Sequence, residues 1–252
     1  IQHPTRGRVQ FNLYPFQEGT LNLLQKNDRN IILKSRQLGI STLSAGISLW
    51  MMVFQKDKSI LVVATKQDTA KNLVTKVKFM YDNLPSWLQI GFTENNKLAL
   101  RLKNGSQIKA VSAASDAGRS EAISLLIVDE AAFIEENRIE EIWGSSQQTL
   151  STGGKAIVLS TPNGTGNFFH RMWNKAEEGT NGFVPIRLPW TVHPERDQIW
   201  RDKQDDELGP RMAAQECDCD FTTSGNVVFE SEMMNFIEST NICEPIERRG
   251  IE

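Results

Sequence analysis

Nine consecutive residues, Lys34-Ser35-Arg36-Gln37-Leu38-Gly39-Ile40-Ser41-Thr42, bring together an ammonium, a guanidinium, a glycine and hydroxyls. They follow a short apolar run, Asn30–Lys34, and precede a long apolar stretch, which places them at a strand-to-helix bend. The phosphate-loop pattern G-x-x-x-x-G-K-[ST] fits with its second glycine on Gly39 and its hydroxyl on Ser41. Its first glycine position then falls on Lys34 and its lysine position on Ile40. Loop length, second glycine and hydroxyl are kept, while the lysine stands at the opposite end. Such a bend holds phosphate oxygens with backbone N–H groups and the helix N-terminus. A hydroxyl completes Mg²⁺ coordination and a cation offsets the β/γ charge. Lys34 returning across the loop supplies that cation, and Arg36 a second one with forked donors that suit phosphate. All nine residues are therefore expected to contact ATP.

Three further segments extend this chemistry. Leu125-Leu126-Ile127-Val128-Asp129-Glu130 has the Walker B form, an apolar strand ending in two acids. Asp129 is expected to share Mg²⁺ with Ser41, and Glu130 to polarise the attacking water. Val158–Gly164 is another strand, ending in Ser160, Thr161 and a Pro-Asn-Gly turn, whose hydroxyls are placed to sense the γ-phosphate. Upstream, Tyr14-Pro15-Phe16-Gln17 offers an aromatic ring to stack a base and the Gln17 amide to read the adenine edge.

Positioning these groups requires strands that end together. Ser59–Ala64, Leu125–Val128 and Ala156–Leu159 are apolar on successive positions, as expected of strands buried on both faces. Helical spacing follows the first of them over Thr65–Tyr81, and Asn104-Gly105 sits between two alternating runs as a hairpin turn. The fold class expected is α/β: a P-loop NTPase of RecA/ASCE type, a mainly parallel sheet with helices on both faces. Beyond Pro189 the strand signals fade, and Trp200–Cys217 is helical with a break at Gly209-Pro210. The expected division is a core over 1–188, a small, mostly helical accessory unit over 189–235, and a linker over 236–252.

Composition narrows the partners. The 252 residues carry a net charge of −3, so no broad basic coat for nucleic acid exists and DNA contact needs a local patch. Lys66, Lys71, Lys76 and Lys78, on one helix, are the candidates. Three cysteines without a CxxC pair read as reduced thiols. The longest apolar stretch, Ala45–Phe54, falls short of the roughly 20 residues of a membrane span.

The four segments, in this order, resemble the ATPase domain of the large terminase subunit of tailed bacteriophages. Ser35–Gly39 resembles its phosphate loop, LIVDEAAF over Leu126–Phe133 its Walker B segment, and STPNG over Ser160–Gly164 its coupling motif. The resemblance implies an ATP- and Mg²⁺-dependent motor working in the host cell cytoplasm. It implies double-stranded DNA, the portal protein of the prohead and the small terminase subunit as partners. It also implies a homo-oligomeric ring on assembly, with a monomer in isolation as the alternative. It makes Arg36 a charge-stabilising arginine in cis, and Arg119 an arginine acting on a neighbouring subunit. A nuclease domain follows the ATPase in such proteins. This chain ends about where it would begin, and Asp218 and Asp220 read as surface charge, so no nuclease activity is expected. A helicase-like translocase and a nucleotide-binding scaffold without turnover are the alternatives.

Overall fold

The structure is a computed structural model that describes residues 1–3, 5–113, 122–150 and 153–221. Arg119, Cys243 and the linker expected over 236–252 lie outside the described residues. A short ribbon, β1 (Gln2–His3) with β2 (Gly7–Arg8), precedes α1 (Pro15–Lys26). The body is one eight-stranded sheet of β3 (Arg29–Lys34), β4 (Ser59–Ala64), β5 (Phe92–Asn95), β6 (Ala99–Leu102), β7 (Gln107–Ser112), β8 (Leu125–Asp129), β9 (Lys155–Ser160) and β10 (Val184–Leu188). Their spatial order is β10-β3-β9-β8-β4-β7-β6-β5. The pairs from β10 to β7 are parallel, and β7-β6-β5 is antiparallel.

The period of two in a strand explains the double burial. In β3, Ile32 enters a core shared with α1, α2 (Ile40–Phe54) and α3 (Gln67–Asp82), while Ile31 and Leu33 enter a second core under α4 (Glu136–Leu150) and α5 (Phe168–Glu177). In β8, Leu125 and Ile127 face the first core, and Leu126 and Val128 the second. Uniformly apolar strands are thus required by helices on both faces. The hairpin at Asn104-Gly105 also closes α2, because Asn104 Nδ2 donates to the carbonyls of Met52 (2.8 Å) and Gln55 (3.0 Å).

Two strands of the eight-stranded sheet were not legible in the sequence. In β10, Pro185 and the exposed Arg187 interrupt the apolar pattern. Proline is tolerated because β10 is an edge strand, with one side of its backbone unpaired. In β5, which forms the opposite edge, Phe92 is followed by three exposed residues.

In the tail, Asp197 caps α6 (Gln198–Leu208) by accepting from Trp200 N at 2.8 Å. Gly209, at φ 80°, ends α6, and Pro210 opens a short α7 (Pro210–Ala213) that runs into a π-helical turn, Ala214–Asp218. Asp218 is not mere surface charge: Arg201, nine-tenths buried, donates to both its oxygens at 2.9 and 2.8 Å. Cys217 and Cys219 are buried and unbridged. Burial pushes the Cys219 thiol up to about 12, and its S–H donates to the Leu188 carbonyl at 3.3 Å. No described helix is long and apolar enough to cross a membrane.

Candidate functional site

The carboxyl ends of the parallel strands β3, β9, β8 and β4 deliver Lys34, Ser160, Asp129 and Thr65 to one side of the sheet. Open α/β sheets bind ligands at this side. The bend after β3 opens α2 with Gly39 as its N-cap at φ 74°, a left-handed conformation. The left-handed backbone demands glycine, and a Cβ there, 2.7 Å from Gln17 Nε2, would push that amide off the loop. Gln37 also adopts the left-handed region, at φ 58°.

Ser41 and Asp129, 88 positions apart in sequence, meet directly: Ser41 Oγ donates to Asp129 Oδ2 at 2.8 Å. Asp129 is only 8% exposed, and its other oxygen accepts from Glu130 N at 3.0 Å. A hydroxyl and a buried carboxylate are hard oxygen donors. The Ser41 hydroxyl keeps its oxygen lone pairs while donating to Asp129, so the pair fits Mg²⁺ in chemistry.

Glu130 sits at φ 57°, ψ 37°. A non-glycine residue there costs on the order of 1–3 kcal/mol and persists only when its surroundings hold it. The holders are Asp129, the N–H of Phe133 on the Glu130 carbonyl (2.9 Å), and Thr65, whose hydroxyl donates to Glu130 Oε2 at 3.0 Å. Thr65 went unnoticed in the sequence. Its only mark there is a hydroxyl placed directly after an apolar strand.

Ile40 explains why the lysine is displaced. It is 1% exposed and packs in the core beside Leu43, so no cation can stand at its position. Lys34 is half-buried at the end of β3, and no hydrogen bond or ion pair to a protein group engages its ammonium among the described residues. Lys76, named from sequence as a candidate DNA contact, lies close enough to this site to feel Asp129 and Lys34. Burial pushes its ammonium below the usual lysine range, Asp129 counteracts this, and Lys34 adds to it. Of the other lysines named with it, Lys71 pairs with Asp68 and Lys78 with Asp82, while Lys66 is exposed.

Arg36 does not stand over the loop. Its guanidinium pairs with Glu216 Oε1 at 3.2 Å and its N–H donates to the Glu216 carbonyl at 2.7 Å. Gln17 is buried, its Oε1 accepting from Tyr14 N (3.1 Å) and its Nε2 donating to the Leu38 carbonyl (2.9 Å). The amide expected to read a base thus first holds the loop, leaving one hydrogen and one oxygen lone pair for a ligand. Beside it opens a cleft of about 610 Å³ lined by Tyr14, Gln37, Leu38, Gly39 and Thr42. Ser35 and Thr161 are buried. Ser160 Oγ accepts from Ala132 N at 3.1 Å and Asn163 donates to the Ala132 carbonyl at 3.0 Å, so the loop after β9 grips the turn after β8.

These elements give the chain a fold of the phosphate-loop class. The family profile described as "Terminase large subunit, T4likevirus-type, N-terminal" matches residues 31–236, and the chain belongs to that family. Its fold is similar to the large terminase ATPase domain of Thermus phage P74-26 (TM-score 0.65, 20% identity, 84% of this chain and 94% of that one). It is similar to the large terminase of bacteriophage HK97 (TM-score 0.68, 17% identity, 84% and 51%). It is also similar to the large terminase of a thermophilic bacteriophage in complex with ADP (TM-score 0.65, 11% identity, 81% and 52%). The chain spans about half the length of the last two.

Proposed function

We propose that this chain is the ATP-hydrolysing part of a phage DNA-packaging motor. The observation that carries this reading is the Ser41–Asp129 contact at the mouth of the residue 34–42 bend, with Glu130 held beside it. Family membership and a solved relative described in complex with ADP support it.

The nucleotide lies with its phosphates on the amides at the start of α2 and its base in the cleft beside Tyr14. Ser41 and, through water, Asp129 would hold Mg²⁺, which would offset phosphate charge. Lys34 returns over the loop to the β/γ oxygens, and Thr42 closes the first turn. Thr65 occupies one oxygen of Glu130, leaving the other to accept from water. The water oxygen attacks the γ-phosphorus, the bond to the β–γ bridging oxygen breaks, and the water proton passes to Glu130. ADP and inorganic phosphate result. Arg36 takes part in cis only after leaving Glu216.

Loss of the γ-phosphate removes charge from the loop and from Ser160-Thr161. The grip of Ser160 and Asn163 on Ala132, and the contacts of Arg196 and Glu216 with the loop, carry that change outward. In the assembled motor, a ring on the portal with the small terminase subunit, this drives double-stranded DNA into the prohead. Its DNA contacts are to phosphates and independent of sequence.

The test is phosphate release by the chain with ATP and Mg²⁺, alone and with DNA and proheads. Release that rises on adding both is expected. ATP binding without release under either condition selects the scaffold reading, and strand separation selects the helicase reading.

A further inference from the structure

Three successive carbonyls of the phosphate loop are held by side chains from outside it. Arg196 Nη2 donates to the carbonyls of Arg36 (3.1 Å) and Gln37 (3.4 Å), and Gln17 Nε2 donates to that of Leu38 (2.9 Å). In a trans peptide the C=O and the following N–H point in opposite directions. Fixing these oxygens therefore fixes the N–H groups of Gln37, Leu38 and Gly39 to face away from their holders. Among the described residues no protein acceptor takes the N–H of Gln37 or Gly39. Backbone N–H groups turned together around left-handed residues form a concavity for anions, and Gln37 and Gly39 are the left-handed residues here.

Arg196 is itself held firmly. It directly precedes the capping residue Asp197, so the first turn of α6 brings Trp200 beneath it, 4.3 Å from the guanidinium. Its Nη1 donates to Ser35 Oγ at 3.2 Å, and Ser35 Oγ donates to the Glu216 carbonyl at 3.1 Å. The side chain is half-buried. An arginine suits this place because one rigid fork reaches several acceptors while its face stacks on a ring. No sequence pattern pointed to it, since it lies 160 positions from the loop it touches.

We propose that Arg196 is a positioning residue for phosphate binding: from the tail it orients the peptides of residues 36–38 so that their N–H groups receive the phosphates. This rests on the nucleotide reading above. Arg196 acts through the loop, since its Nη donors are turned to loop oxygens, and so it shapes affinity more than chemistry.

The test measures Mg·ADP and pyrophosphate affinity by titration calorimetry, KM and kcat for ATP, and the thermal midpoint. The chain is compared with Arg196→Ala and Arg196→Lys. Arg196→Ala is expected to bind both ligands about tenfold or more weakly, as loss of charge-assisted hydrogen bonds implies. Its KM rises by a similar factor, kcat falls far less, and Arg196→Lys recovers part of the affinity. If Arg196→Ala does not fold, Arg196→Gln, which keeps the stem but not the fork, is expected to show the same loss. Unchanged affinity in a folded Ala or Gln variant overturns the proposal and leaves the nucleotide reading standing. A parent chain that binds neither ligand overturns that reading, and this proposal with it.

Discussion

Glu130→Gln is expected to lower ATP turnover by about two to four orders of magnitude, the usual contribution of a positioned general base, with ADP affinity unchanged. The substitution is nearly isosteric. A glutamine oxygen can still accept from the Thr65 hydroxyl, and the backbone bonds of residue 130 to Asp129 and Phe133 do not involve the side chain. What disappears is the ability to take a proton from water. The left-handed backbone at Glu130 sharpens the expectation, because strain retained at an ionisable residue is seldom only structural. Phosphate release under single-turnover conditions, beside ADP titration, measures both halves. A variant that turns over at the parent rate would make Glu130 a strand-end residue and remove the base from the mechanism.

Lys34→Ala is expected to lose about 10²–10³ in turnover, the range found when one preorganised donor to developing charge is removed. Lysine is absent from the usual place because Ile40 is core, so the cation must come from the other end of the loop. Lys34 is half-buried there without a protein partner among the described residues. Lys97, exposed in the β5–β6 turn, is the control, and Lys97→Ala should leave the rate untouched. Phosphate release by the two variants measures this. Equal rates would show that the ammonium of Lys34 does not reach the phosphates. Lys76, whose charge also bears on Asp129, would then be the next cation to replace.

The sequence carried the sheet well wherever both faces are covered. Apolar runs such as Ser59–Ala64 and Leu125–Val128 have little alternative to a buried strand, and the bend and the acids after Leu125–Val128 meet at the carboxyl ends of the strands. The edges were lost, because Pro185 and the exposed residues after Phe92 remove the pattern that burial writes. Within the site, Ser41 and Asp129 follow from spacing alone. Thr65, Arg196 and Glu216 do not: each acts on a partner 65 to 181 positions away through a single contact or a backbone carbonyl. Such contacts leave no periodicity. Lys76 shows the same limit, since nothing in its helical spacing marks it as the lysine drawn towards Asp129.

In the proposed function, residues 34–42 and the acids after β8 form one nucleotide site. A crystal structure of the chain with ADP, fluoroaluminate and Mg²⁺ tests it most directly. The expected result is the β-phosphate on the amides opening α2, the metal about 2.1 Å from Ser41 Oγ, the Lys34 ammonium on the phosphate mimic, and a water between that mimic and Glu130. A nucleotide bound elsewhere, or bound here with Lys34 turned away and no metal at Ser41, would contradict it.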